Sequence, residues 1–189
     1  MKLVRVESDI NSAKGEADTL RDTTERSDNS RQRRPGHSPA PYDSLISARS
    51  SASHYLSDNH DENIDEEAVQ YLVKQSITSI ISFNNYSLPV GATNRLKSQG
   101  ITYDHIPVSE FYAPTLEQLN QLQDTYRSQK VTLISGGFGY GRVGTAISAL
   151  QLFAGRARSD GDFRTNNVDS PDQIRVLKNL RSILLNQSL

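Results

Sequence analysis

The stretch "VTLISGGFGYGRVGTAISAL", residues 131–150, constrains this chain more than any other. Its first five residues are β-branched or apolar almost throughout, as a strand buried on both faces requires. At the other end Val143, Ala146, Ile147, Leu150 and Ala154 fall on one helical side, and Gly155 supplies a stop. Between the two lie Gly136, Gly137, Gly139 and Gly141, four glycines within six residues. A buried strand that turns through glycines directly into a helix is a unit of layered α/β structure.

The chain around it repeats that alternation. "NIDEEAVQYLVKQS" places Asn63 as a cap with Glu66 three residues on, and Ala68, Leu72 and Val73 follow on a helical face. "ITSIISF" (77–83) and "ITYDHIPV" (101–108) read as strands. "TLEQLNQLQDTYRS" pairs Thr115 with Gln118 in capping-box spacing and carries Leu116, Leu119, Leu122 and Tyr126 at helical intervals. A last helix starts with Ser170 as cap and Pro171 in its first turn. The expected fold is α/β, a mainly parallel central sheet flanked by helices, with ligands gathering where the strands end at their carboxyl edge.

Residues 1–40 are rich in Ser, Arg, Asp and Thr and poor in large apolar side chains, so they read as a polar, disordered tail ahead of one domain at 41–189. Within the tail, "KLVRV" is either coil or a short strand if a sheet edge is at hand. The start lacks the apolar core of about 7–15 residues that a classical secretory signal carries. A soluble protein is expected, either cytoplasmic or exported by a non-classical route through that tail, which could equally bind a partner. A net charge of -1 offers no basic excess for nucleic acid, and no apolar run is long enough to span a membrane.

The glycines let backbone N–H groups turn inward and approach an anion closely, and the following helix aims its positive end at the same spot. Arg142 adds a permanently charged planar fork suited to two phosphate oxygens. The same spacing also serves a plain tight turn, with Arg142 paired to a carboxylate. An ATP-type loop fits poorly, because no Lys-Ser or Lys-Thr pair follows the glycines, and "GFGYGR" is too compact for a dinucleotide fingerprint. There is no cysteine, hence no disulfide, thiolate metal site or thiol nucleophile. His37, His54, His60 and His105 are dispersed, and "HDE" at 60–62 reads as a solvated turn, so no metal or cofactor is expected.

Laid on the signature H-C-x-x-G-x-G-R-S/T-G, "SGGFGYGRVGT" matches at Gly139, Gly141, Arg142 and Gly144. In this the chain resembles the dual-specificity phosphatase branch of the cysteine-dependent protein tyrosine phosphatase superfamily. "ISARSSAS", "AVQYLVKQSITSIISF", "GITYDHIPVSEFYAPTLEQL" and "NNVDSPDQIRVLKNL" resemble the family's further segments in order, so the likeness covers about residues 42–185. It implies a phosphate-binding loop at Gly137, Phe138, Gly139, Tyr140, Gly141 and Arg142, with Glu110 in the place of the general acid. Three positions depart from the signature: Ser135 stands for its His, Gly136 for its nucleophilic Cys, and Val143 for the Ser or Thr after the Arg.

In the family mechanism a thiolate of lowered pKa attacks phosphorus, and Gly136 has no side chain to attack with. Glu110 could still protonate a leaving oxygen, but an acid alone gives no covalent intermediate. The resemblance therefore implies a hydrolytically inactive binder of phosphorylated groups, a phosphoprotein in preference to a phosphoinositide because "GGFGYG" carries no lysine. Two origins are open: a natural pseudophosphatase, or a phosphatase whose single cysteine has been replaced. A scaffold or secreted effector with a vestigial site, acting through protein contacts, is the alternative of another class.

Overall fold

A computed structural model of the chain describes residues 64–136, 140–156, 159–168 and 170–187, together with the backbone of the strands Val4–Val6 and Leu45–Ala48. In chain order the elements are β1 (Val4–Val6), β2 (Leu45–Ala48), α1 (Glu66–Lys74), β3 (Ser79–Ser82), α2 (Val90–Ser98), β4 (Thr102–His105), α3 (Leu116–Arg127), β5 (Thr132–Ser135), α4 (Arg142–Phe153), α5 (Asp160–Thr165) and α6 (Pro171–Asn186). The strands form one sheet in the order β1-β2-β5-β3-β4, with every pairing parallel. β5 lies at its centre, so the loop leaving β5 emerges in mid-sheet between the ends of β2 and β3. Val4–Val6 pairs with β2 at the sheet edge; the remainder of the segment read as a tail lies outside the described residues.

Side chains that alternate along β3 and β5 divide the interior into two cores. Ile81, Phe83 and Ile134 face α3, α4 and α6, packing with Leu119, Leu122, Ala146, Leu150 and Leu177. Ile80 and Leu133 face α1 and α2, against Val69, Leu72, Ala92 and Leu96. α4 is buried around almost its whole circumference, held by β5 on one side and by α3, α5 and α6 on the others. Such burial explains why small and apolar residues dominate this helix. Its end is a Schellman closure, in which Gly155 at φ 71° donates to Leu152 O and Arg156 N donates to Gln151 O.

The helix starts at Thr115 and Ser170 are as expected, each with both halves of a capping box in place. α1 differs. Its cap is Asp65, whose carboxylate accepts from Ala68 N at 2.9 Å, while Asn63 lies outside the described residues. Asp65 reaches the free N–H groups from two residues nearer, and Glu66 becomes the first helical residue, where its charge meets the positive helix end. The buried stripe is then Ala68, Val69 and Leu72, and Val73 lies past its edge at 40% exposure. α2 and α5 have no counterpart in the sequence reading. α2 buries only Ala92 and Leu96, too few to show a period, and α5 has six residues behind a Ser159–Asp162 capping box.

α5 is fastened to α6 by Asp160, which receives Lys178 Nζ at 2.7 Å and Arg181 at 3.2 Å. The Lys178 hydrogen bond, with a smaller contribution from Arg181, holds the Asp160 carboxyl below its ordinary range. A depressed carboxyl stabilises the fold above its unfolded pKa, and that contribution is lost as pH falls through the lower folded value. Asp160→Asn should therefore flatten the acid limb of a melting temperature against pH curve below about pH 4. An unchanged acid limb would show that the pair is fully screened by solvent.

Candidate functional site

β5 ends at Ser135, and Gly136 then leads into the glycine loop. Gly137, Phe138 and Gly139 lie outside the described residues, whereas both flanks, Gly136 and Tyr140 to Arg142, are described. On the far flank Gly141 is the N-cap of α4 at φ 31°, a conformation that suits glycine, and its carbonyl accepts from both Thr145 N and Thr145 Oγ1. No side chain caps α4 and no acid occupies its first turn, in contrast to α1, α3, α5 and α6, which have both. The positive end of α4 is thus not countered from within its own first turn.

Arg142, the first residue of α4, is only 6% exposed. Its Nη1 donates to Phe83 O at 3.2 Å and to Val108 O at 2.9 Å, the carbonyls that follow β3 and β4. Phe83 N in turn donates to Ser135 O at 2.8 Å, continuing the ladder beyond the strands. One guanidinium therefore ties the start of α4 to the carboxyl ends of β3, the neighbour of β5, and β4, the next strand out. A residue expected to bind a ligand is also a brace of the sheet edge. Sequence gave no sign of that second role, because its partners are main-chain carbonyls.

Glu110, half-buried, sits on the segment fixed by Val108. It is the second residue of a four-residue turn closed by Tyr112 N donating to Ser109 O at 3.1 Å, with Phe111 third at φ 66°. The turn is pinned on each side: Ser109 Oγ donates to Asn85 Oδ1 at 3.3 Å, and the buried Gln173 donates from Nε2 to Tyr112 O at 3.2 Å. Sequence reading missed Asn85, Ser109, Phe111 and Gln173. Only Gln173 had a signal, its capping-box spacing from Ser170.

The departures from the phosphatase signature have definite surroundings. Gly136 is buried without a positive φ, and a Cβ built on it would stand 3.1 Å from Val143 Cγ2, 3.5 Å from Phe83 Cβ and 3.8 Å from Arg142 Cβ. Val143 is fully buried beside that position. Ser135 points to the opposite face of β5, and its buried hydroxyl has no hydrogen-bond partner among the described residues. Gly144 is demanded by packing, since a Cβ there would come within 2.2 Å of Asn166 O. Among the described residues no group of three or more His, Cys, Asp or Glu could hold a metal ion, and no helix is long and apolar enough to cross a membrane. His105, one of the dispersed histidines, meets Asn84 O through Nε2 at 2.9 Å.

Neither a protein-family model nor a curated protein sequence matches the chain. Solved structures do. The active form of Tk-PTP is similar at 25% identity and a TM-score of 0.52, over 62% of this chain and 86% of that one. PTPMT1 is similar at 14% identity and a TM-score of 0.55, over 65% and 88%. The core catalytic domain of the PP-IP phosphatase Siw14 from S. cerevisiae, in complex with citrate, is similar at 15% identity and a TM-score of 0.52, over 66% and 84%. The described domain has the protein tyrosine phosphatase-like fold.

Proposed function

We propose that the chain binds a phosphorylated group in a cup formed by residues 136–142 and does not hydrolyse it. A phosphoprotein side chain is the favoured ligand, and a phosphoinositide headgroup the alternative. The observation that carries this is Arg142, buried at the uncapped start of α4 and oriented by the carbonyls of Phe83 and Val108. A fixed guanidinium and a positive helix end at the carboxyl edge of a parallel sheet favour an oxyanion. With Gly136 in place of a thiolate, the cup also lacks a negative charge that would repel a phosphate dianion. Neighbours of the same fold named as phosphatases support phosphorylated ligands as the class.

Between the two origins of Gly136, the contact with Val143 favours a natural pseudophosphatase. At 3.1 Å from Val143 Cγ2, a Cβ at position 136 is tighter than ordinary packing, and Val143 must give by a few tenths of an ångström to admit it. Gly136→Cys alone should therefore turn over an aryl phosphate poorly. Adding Val143→Ser, which removes the crowding methyl groups, should raise turnover at least about tenfold, with Glu110→Gln lowering it again. Equal turnover by the single and double variants would remove the packing explanation. Turnover by the unaltered chain at the rate of the double variant would overturn the non-hydrolytic reading itself.

A further inference from the structure

We infer that the end of the domain opposite the glycine loop docks on an anionic lipid surface. In a parallel sheet the helices that link the strands run back against them, so α1, α2 and α3 all end at the amino edge. Their last turns and the loops that follow carry Lys74, Lys97, Arg127 and Lys130, all exposed, and residues 74–78, 97–101 and 127–131 include no acid. None of these four bases has an ion-pair partner among the described residues. The described acids toward this edge are Asp124, one turn before Arg127, and Asp160 and Asp162 on α5. Asp160 already holds Lys178 and Arg181, and Asp162 caps Ser159.

Helix ends favour bases because their last carbonyls are unpaired, and this accounts for Lys74, Lys97 and Arg127. It does not account for Lys130, three residues past the end of α3, nor for the aliphatic side chains exposed at the same edge. α6 begins beside the turn after β4, where Gln173 donates to Tyr112 O, and at Lys178 and Arg181 it has reached Asp160, the first residue of α5. Its last turn therefore emerges at the amino edge with Ile183 and Leu185 exposed, as Val73 is at the end of α1. Cations carried by three separate loops, together with exposed aliphatic side chains, suit an extended anionic plane with an apolar interior. The bases meet the headgroups and the aliphatic chains meet the acyl boundary. The net charge of -1 does not oppose this, because Asp65, Glu66, Glu67, Glu110 and Glu117 lie toward the carboxyl edge. The four-residue strands β3 and β5 set the edges about 13 Å apart, more than the Debye length of about 8 Å at physiological salt. A chain docked by its amino edge holds the glycine loop away from the lipid, toward solvent.

Co-sedimentation of the full chain with vesicles of phosphatidylcholine, alone or mixed with about 30% phosphatidylserine, tests this. Four bases at such a surface predict half-maximal binding near about 1 mM accessible lipid on the mixed vesicles, and no binding to phosphatidylcholine alone. Salt at about 1 M, where the Debye length is about 3 Å, should abolish it. Lys74→Gln, Lys97→Gln, Arg127→Gln and Lys130→Gln combined should weaken binding at least about a hundredfold, with circular dichroism confirming the fold at the assay temperature. Leu185→Ser, which leaves the charge unchanged, should weaken it about fivefold. Arg31→Gln, Arg33→Gln and Arg34→Gln combined, in the basic run ahead of the domain, should leave it within about twofold. Binding that the quadruple variant keeps, that the triple variant loses, or that is equal on phosphatidylcholine alone would overturn the docking face. Capture of polyglutamate without vesicle binding would give the face to an acidic protein and overturn the lipid.

Discussion

Gly144→Ala should lower the melting temperature by about 6–12 °C. The added methyl would fall 2.2 Å from Asn166 O and 2.9 Å from Asn167 O, main-chain atoms of the turn that ends α5. That turn is poorly placed to retreat. Asn166 Nδ2 donates to Ser148 Oγ and Gln151 Oε1 on α4, and Val168 N donates to Phe163 O. Phe163 is fully buried beneath the Arg181 guanidinium, 5.5 Å from the ring centroid. Relief requires α4 and the turn to separate, breaking these bonds and loosening the core, at a cost of about 3 kcal/mol. For a chain of this length each kcal/mol moves the midpoint by about 2–4 °C. Gly91→Ala is the control: its Cβ would meet only Arg95 Nη1 at 3.8 Å, so its midpoint should hold or rise slightly. A Gly144→Ala midpoint within about 2 °C of the parent would show that the α5 turn is free to shift.

Arg142→Ala should abolish binding of inorganic phosphate and phosphotyrosine, with affinity falling by at least about a hundredfold as a bidentate charged contact is lost. It should also lower stability by about 2–4 kcal/mol, because the carbonyls of Phe83 and Val108 lose the donor that braces them. The two effects separate by temperature and by substitution. Binding is read by calorimetry well below the melting point, where circular dichroism confirms the fold. Arg142→Lys keeps the charge without the planar fork and should retain weak binding, about tenfold below the parent. Unchanged affinity in Arg142→Ala would place the anion elsewhere. Lost binding with unchanged stability would mean that the two carbonyls find other donors.

Much of this fold was legible in the sequence because local and global signals agree there. β3 and β5 are short apolar runs, α3 and α6 announce themselves by caps at Thr115 and Ser170, and Gly155 marks the end of α4. Legibility failed where the signal was short or competing. Asp65 outcompeted Asn63 as the cap of α1, and six residues of α5 are too few for a period. The site divides in the same way. Arg142 could be proposed from the glycine spacing and Glu110 from the resemblance, since both would act through side-chain chemistry. The bracing of Arg142 by two carbonyls and the pinning of the Ser109–Tyr112 turn by Asn85 and Gln173 depend on chain segments far apart in sequence. Such features arise only when the strands are assembled.

The most direct measurement is a calorimetric titration of the full chain with a phosphotyrosine peptide, followed by recovery of the peptide and assay of free phosphate. Saturable binding to one site, an intact peptide and no released phosphate are expected of a phosphate cup whose nucleophile position is Gly136. No saturable binding, or release of phosphate on repeated turnover, would contradict it.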